Sequence, residues 1–363
     1  MSRPRKQEQE PASDQINEVA PGILRLQLPI AMPGLGHVNT YALLDDRGAA
    51  IVDPGLPGPQ SWKALLRRLD AAGLSVRRIH TVFVTHSHPD HFGGSGRLAA
   101  ESGGQLVAHA AFRTPLEARL EGPCVDPVDD VDPEDMAAAT WSPVSPWGRP
   151  SFRPPLRRRL QLRAWRSRMF RSYVPAKPTR RLRHGEPFLL GGREWTAVHT
   201  PGHTLDHLCL FDADGGLLLA GDHVLPSITP HIAGEGAGRD PLKAFFASLD
   251  RVAALPGVSL ALPAHGHPFT NVTERVDAIK RHHEERIETL RRAMGALGPA
   301  SVEALSHELF RKDHWGGMAE SETYAHLEHL RFLDEVARTE RSGLAYYELR
   351  PSERPSAVGS ASP

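Results

Sequence analysis

The hydrophobic pattern opens as a meander of strands. From Gly22 to Leu28 apolar and polar residues alternate as in a half-buried strand. Two more apolar runs, Thr40 to Leu44 and Ala49 to Val52, flank the turn sequence Asp45-Asp46-Arg47-Gly48 and predict an antiparallel pair. Pro59 to Ala72 places Trp62, Leu65, Leu66 and Leu69 on one helical face. The β-branched and aromatic run His80 to Val84 predicts a buried strand, followed by a helix from near Ser95 and a strand over Gln105 to Ala108. Strand, helix and strand in this order argue for a layered α/β sheet. After a polar interruption the strand pattern resumes at Glu194 to His199, His207 to Phe211, Gly216 to Ala220 and Val258 to Leu262.

Beyond Val272 the period changes. Val276, Ile279, His283, Ile287, Leu290, Met294 and Leu297 recur at helical spacing, and Gly298-Pro299 stops the long amphipathic helix they predict. His283, on that stripe, reads as a packed polar residue rather than a ligand. Ser301 then caps a short helix through Val302, Leu305 and Leu309, and a loop spans Lys312 to Met318. A second helix from Ala319 to Val336 is expected to bury Leu327, Leu330 and Leu333, and Thr339 to Leu349 reads as a hairpin about Ser342-Gly343.

Composition narrows the class. At 363 residues the chain exceeds one small core, and its 43 basic and 43 acidic residues leave no net charge that would point to nucleic acid or a membrane surface. No stretch approaches the roughly 18 apolar residues of a membrane span. With Cys124 and Cys209 the only cysteines, no disulfide framework is implied, and a reducing, cytoplasmic setting is expected. Residues 1–17 and 351–363 are polar or Pro/Ser-rich and read as disordered tails without a leader sequence. Charge segregates in a 122–183 insertion. Its early acids include Asp126, Asp129, Asp130, Asp132, Glu134 and Asp135, and twelve arginines and one lysine follow from Arg149 to Arg183. With Trp165, Phe170 and Tyr173 interleaved, this is either a cationic lid for an anionic substrate, with Arg157, Arg158 and Arg159 at its centre, or a solvated polar insertion.

The chemistry concentrates at Thr85-His86-Ser87-His88-Pro89-Asp90-His91, on the loop after the His80 to Val84 strand. Neutral imidazole and carboxylate both coordinate borderline divalent metals. His86 and His88, two apart in an extended segment, point the same way. Asp90 and His91 follow a proline-directed bend and can serve a second position, the pattern of two adjacent metals. Three more strand ends deliver ligand-type residues: His203 in Thr200-Pro201-Gly202-His203, Asp222 after Gly221, and His265 in Pro263-Ala264-His265-Gly266. Asp53, in Asp53-Pro54-Gly55, is either an Asx turn or a carboxylate that orients the metal loop. His207, His223 and His267 read as supporting or substrate-facing groups or as ordinary polar partners, His231 as a loop residue beside the site, and His109 as a satisfied rim histidine.

Taken in order, Asp53, His86-x-His88-x-Asp90-His91, Thr200-Pro201-Gly202-His203, Gly221-Asp222 and Ala264-His265-Gly266 resemble the five motifs of the metallo-β-lactamase fold superfamily, over about residues 18–270. The resemblance implies an αββα sandwich, an α/β fold with the site where the loops of two sheets meet. It implies that His86, His88 and His203 hold one metal and Asp90, His91 and His265 the other, with Asp222 bridging. Asp222 stands where β-lactam-hydrolysing members often carry cysteine, and where glyoxalase II-like hydrolases and nucleases carry aspartate. An antibiotic-degrading role is therefore not expected. The expected organisation is a hydrolase domain over 18–270, a connecting helix over 271–297 and a small α+β module over 298–350 that resembles a winged helix. That combination is similar to the branch containing the β-lactamase-like protein 2 endoribonucleases.

Two divalent ions lower the pKa of water and hold a bridging hydroxide between them. The glyoxalase II-like resemblance implies hydrolysis of an ester, thioester or lactone-type bond in a small molecule, with Asp90 as the catalytic carboxylate and zinc as the first ion, iron and manganese remaining open. Cleavage of single-stranded RNA is the alternative; a single-iron dioxygenase and a non-enzymatic binding protein are more remote readings. The 319–336 helix carries Glu320, Glu322, Glu328, Asp334 and Glu335 against Arg331, which opposes nucleic-acid docking. The module is expected to pack on one flank of the site or to form a homodimer contact, and the expected partner is a small-molecule substrate, anionic if the basic stretch lines a groove.

Overall fold

A computed structural model of the chain describes residues 6–32, 34–114, 117, 128, 130–139, 144–149 and 177–351. Arg157, Arg158, Arg159, Trp165, Phe170, Tyr173 and Cys124, on which the choice between a cationic lid and a solvated insertion turns, lie outside the described residues with the 352–363 tail.

The three expected strands, β2 (Ile23–Met32), β3 (Leu35–Asp45) and β4 (Gly48–Val52), form an antiparallel meander, to which β1 (Asn17–Ala20), not expected from the pattern, adds a fourth strand beside β2. Parallel strands β5 (Ile79–Phe83), β6 (Gln105–His109) and β7 (Arg180–Leu182) extend it to a seven-stranded sheet. The second sheet has the order β12-β11-β10-β9-β8, from β8 (Pro187–Leu190), β9 (Arg193–His199), β10 (Leu208–Asp212), β11 (Leu217–Gly221) and β12 (Leu260–Pro263).

The alternation of side chains across each strand sorts them into layers. Between the sheets lie Tyr41, Leu43, Val52, Phe83 and Val107 from the first and Trp195, Leu208, Leu210, Leu219 and Leu262 from the second. Each such fully buried side chain contributes about 1.5–3 kcal/mol. Leu26, Ile51, Val82 and Leu106 face the other way, onto Trp62, Leu65 and Leu69 of the Pro59–Ala71 helix and Leu98 of the Ser95–Ser102 helix. On the far side of the second sheet, Val198, Cys209 and Leu218 meet Leu242, Phe245 and Leu249 of the Pro241–Ala253 helix and Val276 and Ile279 of the Val272–Leu297 helix. Helix, sheet, sheet and helix are the layers expected of the sequence.

The C-terminal part adds β13 (Ala300–Ser301), β14 (Val336–Arg341) and β15 (Leu344–Leu349), ordered β13-β15-β14, with helices Val302–Leu309 and Gly317–Phe332. It shares one continuous core with the second sheet's helices through Leu305, Leu327, Leu330 and Tyr347. Two expected core positions fail: Leu297 and Leu333 sit at helix ends and are about half exposed, because the stripe runs past the neighbours that could cover it. The acids of the Gly317–Phe332 helix are largely packed. Glu320, Glu322 and Glu328 are buried and paired with Arg149, Arg286 and the Arg331–Arg338 pair, respectively.

Two segment boundaries differ from expectation. Residues 6–16, placed in a tail by their polarity, are packed in part by Glu8, whose buried carboxylate accepts the N–H groups of Ser227 at 2.7 Å and Ile228 at 3.0 Å. The end of the 122–183 insertion is core: Leu182, alone between arginines, is fully buried between the sheets while Arg180 and Arg181 are exposed. Charge on the solvent side masked a strand whose single inward residue is apolar.

Candidate metal centre

All seven expected ligands converge at one edge of the sandwich, drawn from both sheets. After β5 the chain turns through Thr85 into the His86–His88 segment, and Pro89–Phe92 forms one helical turn carrying Asp90 and His91. His203 follows β9, Asp222 follows β11 and His265 follows β12. Two glycines make the close turns possible. Gly202 has φ 130°, and a Cβ there would lie 2.5 Å from Phe245 Cα; Gly221 has φ 52°, and a Cβ would meet His207 Nε2 at 2.5 Å.

The side chains fall into two adjoining groups, His86, His88, His203 and Asp222, then Asp90, His91 and His265. Asp222 spans them: Oδ2 lies 3.5 Å from His203 Nε2 and 3.5 Å from His91 Nε2, and Oδ1 lies 3.3 Å from His265 Nε2. Asp90 Oδ2 is 3.5 Å from both His91 Nε2 and His265 Nε2.

Outer partners fix the tautomers. His91 Nδ1 donates to Asp53 Oδ2 at 2.8 Å, His265 Nδ1 to the His37 carbonyl at 2.6 Å and His203 Nδ1 to the His231 carbonyl at 2.7 Å. His86 Nδ1 donates to Thr85 Oγ1, which itself donates to Asp53 Oδ2. Each Nε2 lone pair is thereby turned inward. The Nε2 atoms of His91, His203 and His265 and Oδ1 of Asp222 are buried with no hydrogen-bond partner among the described residues, and His86 Nε2 faces His88 Nδ1 at 3.0 Å. Buried donor atoms left open in this way fit a cation.

Electrostatics agree. Burial disfavours charge on His265, but the carboxylates of Asp222 and Asp90 outweigh it and lift its pKa to about 10. His91 is raised by the same carboxylates against burial. His88 moves the other way, to about 3, through burial and then the neighbouring His203. Burial opposes ionisation of Asp90 and Asp222, yet the surrounding imidazoles hold both below the ordinary carboxylate range.

The sequence profile of the metallo-beta-lactamase superfamily matches residues 33–291. The chain belongs to the metallo-β-lactamase superfamily. It is 26% identical over 285 residues to a hydroxyacylglutathione hydrolase of Albidiferax ferrireducens, covering 75% of this chain and 81% of that protein. It is 31% identical over 194 residues to acyl-coenzyme A thioesterase MBLAC2 of Gallus gallus, covering 52% of this chain and 58% of that protein. Among solved structures, a metallo-beta-lactamase family protein of Thermus thermophilus superposes with a TM-score of 0.69 at 28% identity, covering 92% of this chain and all of that one.

The remaining singled-out residues surround this metallo-β-lactamase-type site or stand apart from it. His207 lies behind it: Nε2 accepts the Asp222 N–H at 3.0 Å and Nδ1 donates to Thr200 Oγ1 at 2.7 Å, fixing the backbone that presents Asp222. His267 bonds Glu10 and Arg25, and His283 bonds His326 at 3.0 Å, both away from the centre. His223 is fully buried beside it, its ring edge-on to Phe245. His109 stacks on His199 with centroids 4.0 Å apart and an 11° interplanar angle, and donates from Nε2 to Asp130 Oδ2 at 3.1 Å. His109 Nδ1 accepts the Ala111 N–H, so Nε2 carries its proton, and parallel rings cannot aim two in-plane lone pairs at one ion. This trio is a clamp on the insertion.

A cleft opens beside His88 and His203, lined by Ala111, Arg113, Met136, Leu205, Ala233 and Ala237 among others. Met136 belongs to the Pro133–Ala138 helix of the insertion, capped by Asp132 accepting the Glu134 N–H. Arg239 holds that helix to the 233–237 wall through Asp132 at 3.0 Å, Asp135 at 3.3 Å and Glu134. Met136 and Arg239 are not among the residues expected near the site. The Asp-Pro pair at 132–133 was an available helix-start signal. No described helix is long and apolar enough to cross a membrane.

Proposed function

We propose that the protein is a metal-dependent hydrolase with two divalent ions, cleaving an ester, thioester or lactone-type bond of a small molecule. The observation that carries this reading is the set of inward Nε2 atoms on His91, His203 and His265, each fixed from behind and each close to Asp222. His86, His88 and His203 would hold one ion and Asp90, His91 and His265 the other, with Asp222 shared. Bound divalent ions supply Lewis acidity and lower the pKa of water so that a nucleophile exists at neutral pH. Zinc suits the nitrogen and oxygen donors, and iron or manganese would be accepted by the same set.

The chain's own groups handle the proton and the substrate. Asp90, a carboxylate ligand with a further lone pair, would take the proton of the attacking water and return it to the leaving oxygen or sulfur. Ala111, Met136, Leu205, Ala233 and Ala237 offer an apolar surface next to His88 and His203, suited to the acyl part of a substrate. The relatives named as a hydroxyacylglutathione hydrolase and an acyl-coenzyme A thioesterase support acyl transfer to water. Single-stranded RNA would need a basic track with stacking aromatics. Among the described lining residues Arg113 is the one arginine or lysine, and Asp206 and Glu235 are acidic.

The test is a panel of acyl thioesters and lactones, with a labelled single-stranded RNA, given to zinc-loaded protein and to Asp90→Ala. Acyl release by the wild type that the variant loses supports the proposal. RNA cleavage without acyl release overturns it.

A further inference from the structure

The Gly317–Phe332 helix reaches the metal centre through two residues. His203 Nδ1 donates to the carbonyl of His231, in the loop between β11 and the Pro241–Ala253 helix. The imidazole of the same His231 meets Glu322 Oε2 through Nδ1 at 3.3 Å. Glu322 is buried and its other oxygen is paired with Arg286 of the Val272–Leu297 helix, whose guanidinium also lies 4.5 Å over the Phe310 ring. Glu322's backbone carbonyl accepts His326 Nδ1–H at 2.7 Å, so both ends of the residue are held.

The loop has further ties on either side. Glu8 accepts from Ser227 and Ile228, and Arg275 donates to the Leu225 and Ile228 carbonyls. Gly234 N–H donates to Ser321 Oγ at 3.0 Å, and a Cβ on Gly234 would lie 2.6 Å from the Ser321 carbonyl oxygen. Between these ties, among the described residues, Glu322 supplies the side-chain bond made by the His231 imidazole.

We infer that the Gly317–Phe332 helix positions the metal ligand His203, with Glu322 acting through His231. The inference rests on reading His203 as a ligand. Arg286 fixes Glu322, Glu322 fixes His231, and the His231 carbonyl then holds the proton on His203 Nδ1 and sets the ring plane. Outer partners of ligating histidines typically carry 10–100-fold in metal affinity. The effect belongs to one ion position. His91 and His265 are held by Asp53 and the His37 carbonyl, which the helix does not touch in any described contact.

The experiment measures stoichiometry and stepwise affinity for Co2+ on the full chain, by chelator competition and by the visible d–d spectrum. Glu322→Ala is expected to weaken one of two ions by about 10-fold or more, with the other unchanged. Glu322→Gln, which keeps an acceptor for His231, is expected to recover most of the loss. Glu322→Ala leaves Arg286 unpaired and could fail to fold, so His231→Ala, which keeps the Arg286–Glu322 pair, is measured beside it with the same expectation. Unchanged affinities in a folded Glu322→Ala and in His231→Ala overturn the inference, as does equal weakening of both ions. His203→Ala is the reference. If it loses one ion and the other variants do not, the positioning role fails and the metal centre stands; if it keeps both ions, the ligand reading and the inference fall together.

Discussion

Asp53 stands directly behind His91, with its Oδ2 2.8 Å from His91 Nδ1, and the same carboxylate accepts the Thr85 N–H at 2.9 Å and the Thr85 hydroxyl at 2.7 Å. Its backbone is in the left-handed region at φ 52°, a conformation aspartate tolerates better than most residues. One side chain thus orients a candidate ligand and the loop that carries four of them. Asp53→Ala should fold and lose roughly 10–100-fold in metal affinity, with the larger loss at the ion held by His91. Isothermal titration with zinc would show it, and wild-type affinity in the variant would contradict the role.

Asp222 has an oxygen toward each group of ligands, whereas His88 serves one. His88→Ala should therefore bind about one ion fewer, and Asp222→Ala should lose tight binding of both. Activity should fall by about two orders of magnitude or more in each, since loss of an outer partner alone reaches that range. Circular dichroism checks folding and elemental analysis counts the metal. Full occupancy in either variant would remove the assignment.

The metal-free protein should lose stability on mild acidification. Burial holds His199 at about 3, with the adjacent His109 adding to it, and burial likewise holds His223 at about 3. For groups depressed in the folded state, the unfolded chain binds more protons below its own pKa of about 6.5, so stability declines from there toward pH 3. Each contributes a slope of up to about 1.4 kcal/mol per pH unit. His265, raised to about 10, has the opposite sign: its stabilisation is complete below about 6.5 and fades as pH climbs through 10. Urea unfolding in chelator between pH 4 and 6.5 should give His199→Phe a shallower slope than wild type by about 1.4 kcal/mol per pH unit. Parallel slopes would rule the buried neutral histidine out.

Arg239 ties the insertion helix to the opposite wall of the cleft through partly exposed ion pairs. Such pairs are worth at most about 1 kcal/mol each. Arg239→Ala should raise KM by about two- to fivefold for a hydrolysed acyl substrate and leave kcat nearly unchanged. A fall confined to kcat would place Arg239 elsewhere in the reaction.

Local chemistry made much of this molecule legible. The strands and helices followed from alternation and helical period, the αββα layering from the resemblance carried by the five motifs, and the ligand-type residues from the strand ends that bear them, because a short loop after a buried strand leaves few places for a histidine to go. What escaped was long-range. That Leu182 is core depends on β6 lying beside it, and that Glu322 is buried depends on Arg286 from another helix. Neither has a signature in its own neighbourhood. Leu297 and Leu333 failed for the converse reason, since periodicity extends a stripe without knowing where its cover stops.

The candidate ligands are divided between the two halves of the sandwich: His86, His88, Asp90 and His91 on the first sheet's side, His203, Asp222 and His265 on the second's. Divalent ions held there would act as removable rivets. An opening that parts the sheets would have to release them, which would link occupancy to the cohesion of the sandwich. The metal supply of the surroundings would then set how long the chain survives as well as how fast it works.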